Sequence, residues 1–165
     1  MPLAPLILSQ GDQDYFHEVL LHLLRKSEAR CVILVDESGR CVACGGSTQK
    51  IDVDALAALI AGSFSSTRAM AKLVGETAFT VLFHQGLHDH IHTNLVDDDR
   101  ILAVVFDQRT TVGMVRLCAQ NAGKLIAARF REIVQRRHDG VRSGIEDSLP
   151  EDAGERFDQI FDSGA

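Results

Sequence analysis

Apolar positions along the chain alternate between helical spacing and short runs of strand length. Residues 12–27 place Phe16, Val19, Leu20, Leu23 and Leu24 on one helical face. Residues 31–35 form a continuous apolar run, Asp36-Glu37-Ser38-Gly39 is turn chemistry, and residues 40–44 make a second strand, so the pair reads as a hairpin ended by Gly45-Gly46-Ser47. Asp52 or its neighbourhood caps a second helix that closes near residues 72–75. Asp54 in its first turn and Lys72 in its last complement the helix dipole. Three strands follow, at 77–84, 89–96 and 101–106. Gly86-Leu87-His88 and Asp97-Asp98-Asp99 separate them as short turns, which makes them antiparallel. A last long helix begins near Thr110 or Thr111 and carries Val115, Cys118, Ala122, Leu125, Ile126, Arg129 and Ile133 at helical spacing. Arg136, Arg137 and His138 lie at its end, and Gly140 stops it.

This order, αββαβββα, predicts an α/β (α+β) fold: a five-stranded antiparallel sheet with helices on both faces. Residues 1–11 read as an N-terminal extension, 12–138 as the domain, 139–148 as a linker and 149–165 as an acidic amphipathic segment. In that last segment Phe157, Ile160 and Phe161 fall at i, i+3 and i+4. Alone it is too short to be a stable helix in water, so it packs back on its own domain or folds onto a partner.

The second helix is the most informative element. Residues 55–67 run thirteen positions without a charge. Leu56, Leu59, Ile60, Ser63, Thr67, Met70 and Val74 give an apolar-leaning stripe, and Ala58, Gly62, Ser65 and Ala69 give a second stripe of small side chains roughly opposite. A surface helix normally carries Lys, Glu or Arg on its outer face. Both faces of this helix therefore meet protein: either it is a central helix inside its own domain, or its small-residue face docks another protein.

Composition narrows the function classes. The chain has 165 residues, 45% hydrophobic and 24% charged, with a net charge of −6. One domain with its own core follows. An acidic chain with no basic stripe, one Tyr and no Trp is disfavoured for nucleic acid. The apolar run at residues 2–8 is too short to span a bilayer, and no later stretch approaches that length, so the reading is a cytoplasmic protein without membrane insertion. In a reducing compartment Cys31, Cys41, Cys44 and Cys118 are thiols, mostly buried as small apolar groups.

Candidate chemistry is thin. Cys41-Val-Ala-Cys44 is a lone CxxC. Residues three apart on a regular strand point to opposite faces, so the sulfurs diverge. His90 and His92 share a strand face, with His88 beside them and His84 on a neighbouring strand, so they could approach one metal; the plainer reading is a solvated polar face near a sheet edge. Gly45-Gly46-Ser47 lacks the ending of a phosphate loop, and Asp97-Asp98-Asp99 lacks calcium-loop spacing. No Gly-x-Ser-x-Gly elbow or nucleophile–base pair is present. The residues favour a binding module that uses no cofactor or metal over an enzyme.

The chain resembles the Roadblock (dynein light chain) family, and more narrowly its MglB-type bacterial members. The matching residues are Leu34-Val35-Asp36 with Gly39, Ser47-Thr48-Gln49-Lys50-Ile51-Asp52, Leu56, Leu59, Ala61-Gly62, Leu73-Val74-Gly75-Glu76, Phe83-His84, Gly86, Asp89, Val105-Phe106-Asp107, Arg109-Thr110, Gly113 and Val115-Arg116-Leu117. They cover about residues 15–136, and the acidic tail also looks familial. The resemblance implies a homodimer joined through the third strands, here with Phe79, Val81 and Phe83, so that two sheets become one. It implies a platform of paired second helices that binds a GTP-bound Ras-like small GTPase of the MglA type and accelerates GTP hydrolysis in cell polarity or gliding motility. Enrichment at a cell pole follows from the same likeness. Carried onto this chain, the platform is Ala58, Gly62, Ser65, Arg68 and Ala69, with Phe157, Ile160 and Phe161 as a C-terminal partner contact. Arg68 is the best-placed candidate for an arginine finger, although MglB-type members are thought to reorganise the GTPase's own catalytic groups. Two other readings remain open: a Roadblock scaffold that binds a GTPase or kinase without catalytic effect, and a PAS-like or profilin-like ligand-sensing module.

Overall fold

A computed structural model describes residues 6–148. Its elements are α1 (Gln10–Ser27), β1 (Cys31–Asp36), β2 (Cys41–Gly46), α2 (Val53–Leu73), β3 (Val81–Gln85), β4 (His90–Asp97), β5 (Arg100–Phe106) and α3 (Val112–Ser148). The five strands form one antiparallel sheet in the order β2-β1-β5-β4-β3. The first compact unit is Met1–Arg129 and the second is Phe130–Ala165.

The sheet has helices on both faces, and strand parity says which. Ile33 and Val35 of β1 pack with Ala57 of α2, and Ile101 and Ala103 of β5 with Ile60 and Phe64. The alternate residues point the other way: a Cβ on Gly45 would meet Leu24 and Leu20 of α1 together with Val32. That second face also holds α3, where a Cβ on Gly123 would lie 3.3 Å from the Asn94 side chain of β4. Covered on both sides, β1 is buried from Cys31 to Val35, as its unbroken apolar run requires.

The first helix starts two residues earlier than the hydrophobic spacing indicates, so residues 10–11 are helical and not part of an extension. Ser9 is the N-cap, its hydroxyl accepting the Asp12 N–H at 3.2 Å while Asp12 reaches back in a capping box. Asp12 is only 2% exposed. Its carboxylate accepts the Arg129 Nε–H of α3 at 2.9 Å, and the Arg129 guanidinium lies 4.8 Å from the centre of the Tyr15 ring. A buried carboxylate needs such a partner, and this one ties α1 to α3.

Three local departures from the sequence reading have physical causes. Leu34 pairs with Ala43 but Val35 with Cys41, so Val42 is an extra residue and β2 bulges. The bulge cancels one alternation. Cys41 and Cys44 therefore both pack against the Ile33, Val35 and Ala57 cluster, and the expectation that their sulfurs diverge is overturned. A similar bulge at Val96 in β4 explains why β3 begins at Val81 and not at residue 77: residues 78–79 would have to pair with that irregular stretch. Finally, Gly140 does not stop α3. The helix is continuous to Ser148, so residues 139–148 are helical and not an unstructured linker. A single glycine costs a helix about 1 kcal/mol, too little to end it by itself. At the other end Thr111 is the cap, its hydroxyl accepting the Met114 N–H at 3.2 Å.

Candidate docking face

Asp52 starts α2 by accepting the Ala55 N–H at 3.0 Å, and Val74 ends it. The phase of the helix is set by Ala57, Ile60, Phe64, Thr67 and Ala71, all buried, Ala57 against β1 and Ile60 and Phe64 against β5, with Leu56 half-buried beside them. This differs from the inner stripe predicted above. Ile60, Thr67 and Leu56 point inward as expected, but Leu59, Met70 and Val74 do not. Two alanines seven residues either side of Phe64 make the true seam, because small residues let α2 lie close on the sheet. Gly39 shows how close: a Cβ there would sit 2.9 Å from the Ala58 Cα, and its φ of +83° independently favours glycine.

Ala58, Gly62, Ser65, Arg68 and Ala69 are all exposed in the protomer, and nothing lies within 4 Å of a Cβ built on Gly62. Beside this small stripe runs a second exposed row that the sequence reading missed: Leu59 (69% exposed), Met70 (52%) and Leu73 (87%), continued by Val74. For Leu59 the available signal was the length of the charge-free run, whereas Met70, Leu73 and Val74 lie beyond it and needed the helix phase. Thirteen residues exceed what one buried stripe can use, so a large apolar group such as Leu59 must face outward.

Three hydroxyls on α2 are satisfied from within. Ser63 Oγ donates to the Leu59 carbonyl at 2.9 Å, Ser66 Oγ to the Gly62 carbonyl at 3.2 Å and Thr67 Oγ1 to the Ser63 carbonyl at 2.8 Å. The exposed strip therefore presents few donors that a partner would have to match. Arg68 lies at its margin, and its Nη2 donates to the Asp98 carbonyl of the β4–β5 turn at 2.8 Å. The guanidinium is thus anchored to its own chain, not projected outward.

At the sheet edge, β3 pairs with β4 alone among the described residues. Val81 and Phe83 lie in it; Phe79, the third residue predicted for the dimer strand, lies outside it and is exposed. The Phe83 ring stacks on Phe106 at 6.1 Å and approaches His90 at 6.0 Å.

The histidines do not form one set. Phe83 pairs with His92 and His84 with Ile91, so His84 points to the opposite sheet face from His90 and His92. Nor is that second face solvated near His92, which is 1% exposed. Burial and the Arg116 charge on α3 hold its pKa below the usual histidine value. Its Nε2 and the Asn94 Oδ1, two residues along the same strand face, are buried without a hydrogen-bond partner. His90 Nδ1 accepts the Gly86 N–H at 3.3 Å in the β3–β4 turn. Among the described residues no three or more His, Cys, Asp or Glu side chains converge as a metal site would need. Phe157, Ile160 and Phe161 lie outside the described residues.

Comparison with known proteins decides the family. Residues 15–106 match the Roadblock/LC7 domain model, more than half of the chain. The chain belongs to the Roadblock/LC7 family. Within it, the chain is similar to Myxococcus xanthus MglB, with 35% identity over 72% of this chain and 96% of that one, at a TM-score of 0.69. It is similar to the gliding protein MglB of Thermus thermophilus, with 30% identity over 79% and 98% at a TM-score of 0.73. An MglB described with a tetrameric arrangement gives 29% identity over 79% and 98%, at a TM-score of 0.75. No match was found among curated proteins. The five-stranded sheet and the α1, α2 and α3 layers are those of a Roadblock domain, and the chain is an MglB-like member. Among the described residues no helix is long and apolar enough to cross a membrane.

Proposed function

We propose that this protein is a homodimeric regulator that binds a GTP-loaded Ras-like small GTPase of the MglA type and stimulates its GTP hydrolysis, in a polarity or motility process. The observation that carries the reading is the outer face of α2. In a chain similar to MglB proteins it carries no charge from residue 55 to residue 67 and is exposed over Ala58, Leu59, Gly62, Ser65, Ala69, Met70 and Leu73, with Arg68 and Lys72 as its only cations. A face of this kind loses little on desolvation and gains from apolar burial. The unpaired edge of β3 supports self-association by strand addition, with Val81 and Phe83 at the seam. Residues 149–165 supply a further partner contact through Phe157, Ile160 and Phe161.

In this reading stimulation comes from repositioning the GTPase's own catalytic groups. The anchoring of Arg68 on the Asp98 carbonyl favours that route over an inserted arginine. The test is isothermal titration of the purified protein with GTP-analogue-loaded and GDP-loaded GTPase from the same host, followed by single-turnover hydrolysis. Nucleotide-selective binding with faster hydrolysis supports the proposal. Binding without acceleration reduces the protein to a scaffold, and no binding removes the proposal.

A further inference from the structure

The β2 bulge has brought together two thiols that a regular strand would separate. We propose that Cys41 and Cys44 form a two-thiolate clip for a soft monovalent cation of the Cu(I) type, beside the N-terminal half of α2. The register carries the geometry: Cys44 lies opposite Ile33 and Cys41 opposite Val35, and both partners point toward α2. Both cysteines are half-buried, so solvent ions reach them, whereas Cys31 is fully buried. Val53, Leu56, Ala57 and Ala61 supply apolar surroundings, and Asp54 is the nearby carboxylate whose charge acts on Cys41.

Burial and the charge of the neighbouring Cys44 push the Cys41 thiol up to about 12. An anion there is disfavoured by the same closeness that favours a cation held between the sulfurs. The donor set selects the ion. Zinc takes four ligands, and among the described residues no third His, Cys, Asp or Glu joins the pair. Two soft sulfurs suit Cu(I), which accepts thiolates readily and needs few of them. A disulfide fits less well. Their partners Ile33 and Val35 are two residues apart, about 6.7 Å of strand rise, which is at the long end for the Cα atoms of a disulfide, whose ordinary separation is roughly 5.5–6 Å. Binding breaks two S–H bonds, forms two S–Cu bonds and releases two protons to water, and no atom changes oxidation state.

The experiment titrates the reduced full-length protein, without oxygen, with Cu(I) against a chromophoric Cu(I) chelator. The clip predicts one Cu(I) per chain with two protons released. Cys41→Ser and Cys44→Ser should each weaken binding by more than about a hundredfold, while Cys118→Ser leaves it unchanged. Should a serine variant fail to fold, alkylation of the natural protein reads the same claim: Cu(I) protects Cys41 and Cys44 while Cys118 stays reactive. Failure to compete with the chelator, binding kept in Cys41→Ser, protection centred on Cys118, or a Cys41–Cys44 disulfide as the only product would each overturn it.

Discussion

Replacing Ala69 by arginine is the sharpest perturbation of the docking face. Ala69 is exposed, and both Ala and Arg are strong helix formers, so folding stability should change by no more than roughly 0.5 kcal/mol. The cost appears only on docking. The substituted chain would lie among Gly62, Ser65, Ser66, Met70, Lys72 and Leu73, none of which offers an acidic acceptor. A guanidinium desolvated without a partner costs roughly 3–5 kcal/mol. At 1.4 kcal/mol per decade, that weakens the complex by about two to more than three orders of magnitude. Circular dichroism and light scattering establish that the variant keeps its fold and its mass. Titration calorimetry with GTP-analogue-loaded GTPase then reads the affinity. A dissociation constant within about threefold of the natural protein would refute the placement of the platform on α2.

Three further outcomes are expected. Arg68→Ala removes one hydrogen bond to the exposed Asp98 turn and should cost about 1 kcal/mol or less of stability; stimulated hydrolysis should fall by less than about tenfold, since a finger would cost a thousandfold or more. Gly39→Ala forces a Cβ against the Ala58 Cα at a positive φ, and urea unfolding should show a loss of about 1–3 kcal/mol. His92 has a folded pKa below its unfolded value, so its contribution to stability is present above the unfolded pKa of about 6.5 and declines as pH falls below it. Urea midpoints between pH 7.5 and 5 should therefore drop more for the natural protein than for His92→Phe.

Much of the fold is written plainly in the hydrophobic pattern, and the failures share a cause. β1 is legible because a strand covered on both faces must be apolar throughout, as Cys31–Val35 is. The hairpin turns are legible because Asp36-Glu37-Ser38-Gly39 and Gly86 carry backbone requirements that few other residues meet. The phase of α2 is not, since Ala57, Phe64 and Ala71 compete with Leu59, Met70 and Val74 for the inner face and only the sheet beneath decides. The bulges at Val42 and Val96 leave no mark in residue type, yet one reverses the facing of a cysteine and the other shortens β3. Likewise His92 looks like a polar strand residue until α3 covers it. The small half of the candidate docking strip, Ala58, Gly62, Ser65 and Ala69, was legible because a missing charge is itself a signal; its large half, Leu59, Met70 and Leu73, needed the helix phase.

Hydroxyl-radical footprinting of the protein alone and in complex with GTP-analogue-loaded GTPase reads both sheet faces at once. Met70 on α2 and Met114 on α3 are each about half exposed, so each reports its own side. Docking on α2 predicts that oxidation of Met70 and Leu73 falls on complex formation while Met114 keeps its rate. Protection of Met114 with Met70 still fully oxidised would place the partner on the other face and contradict the account.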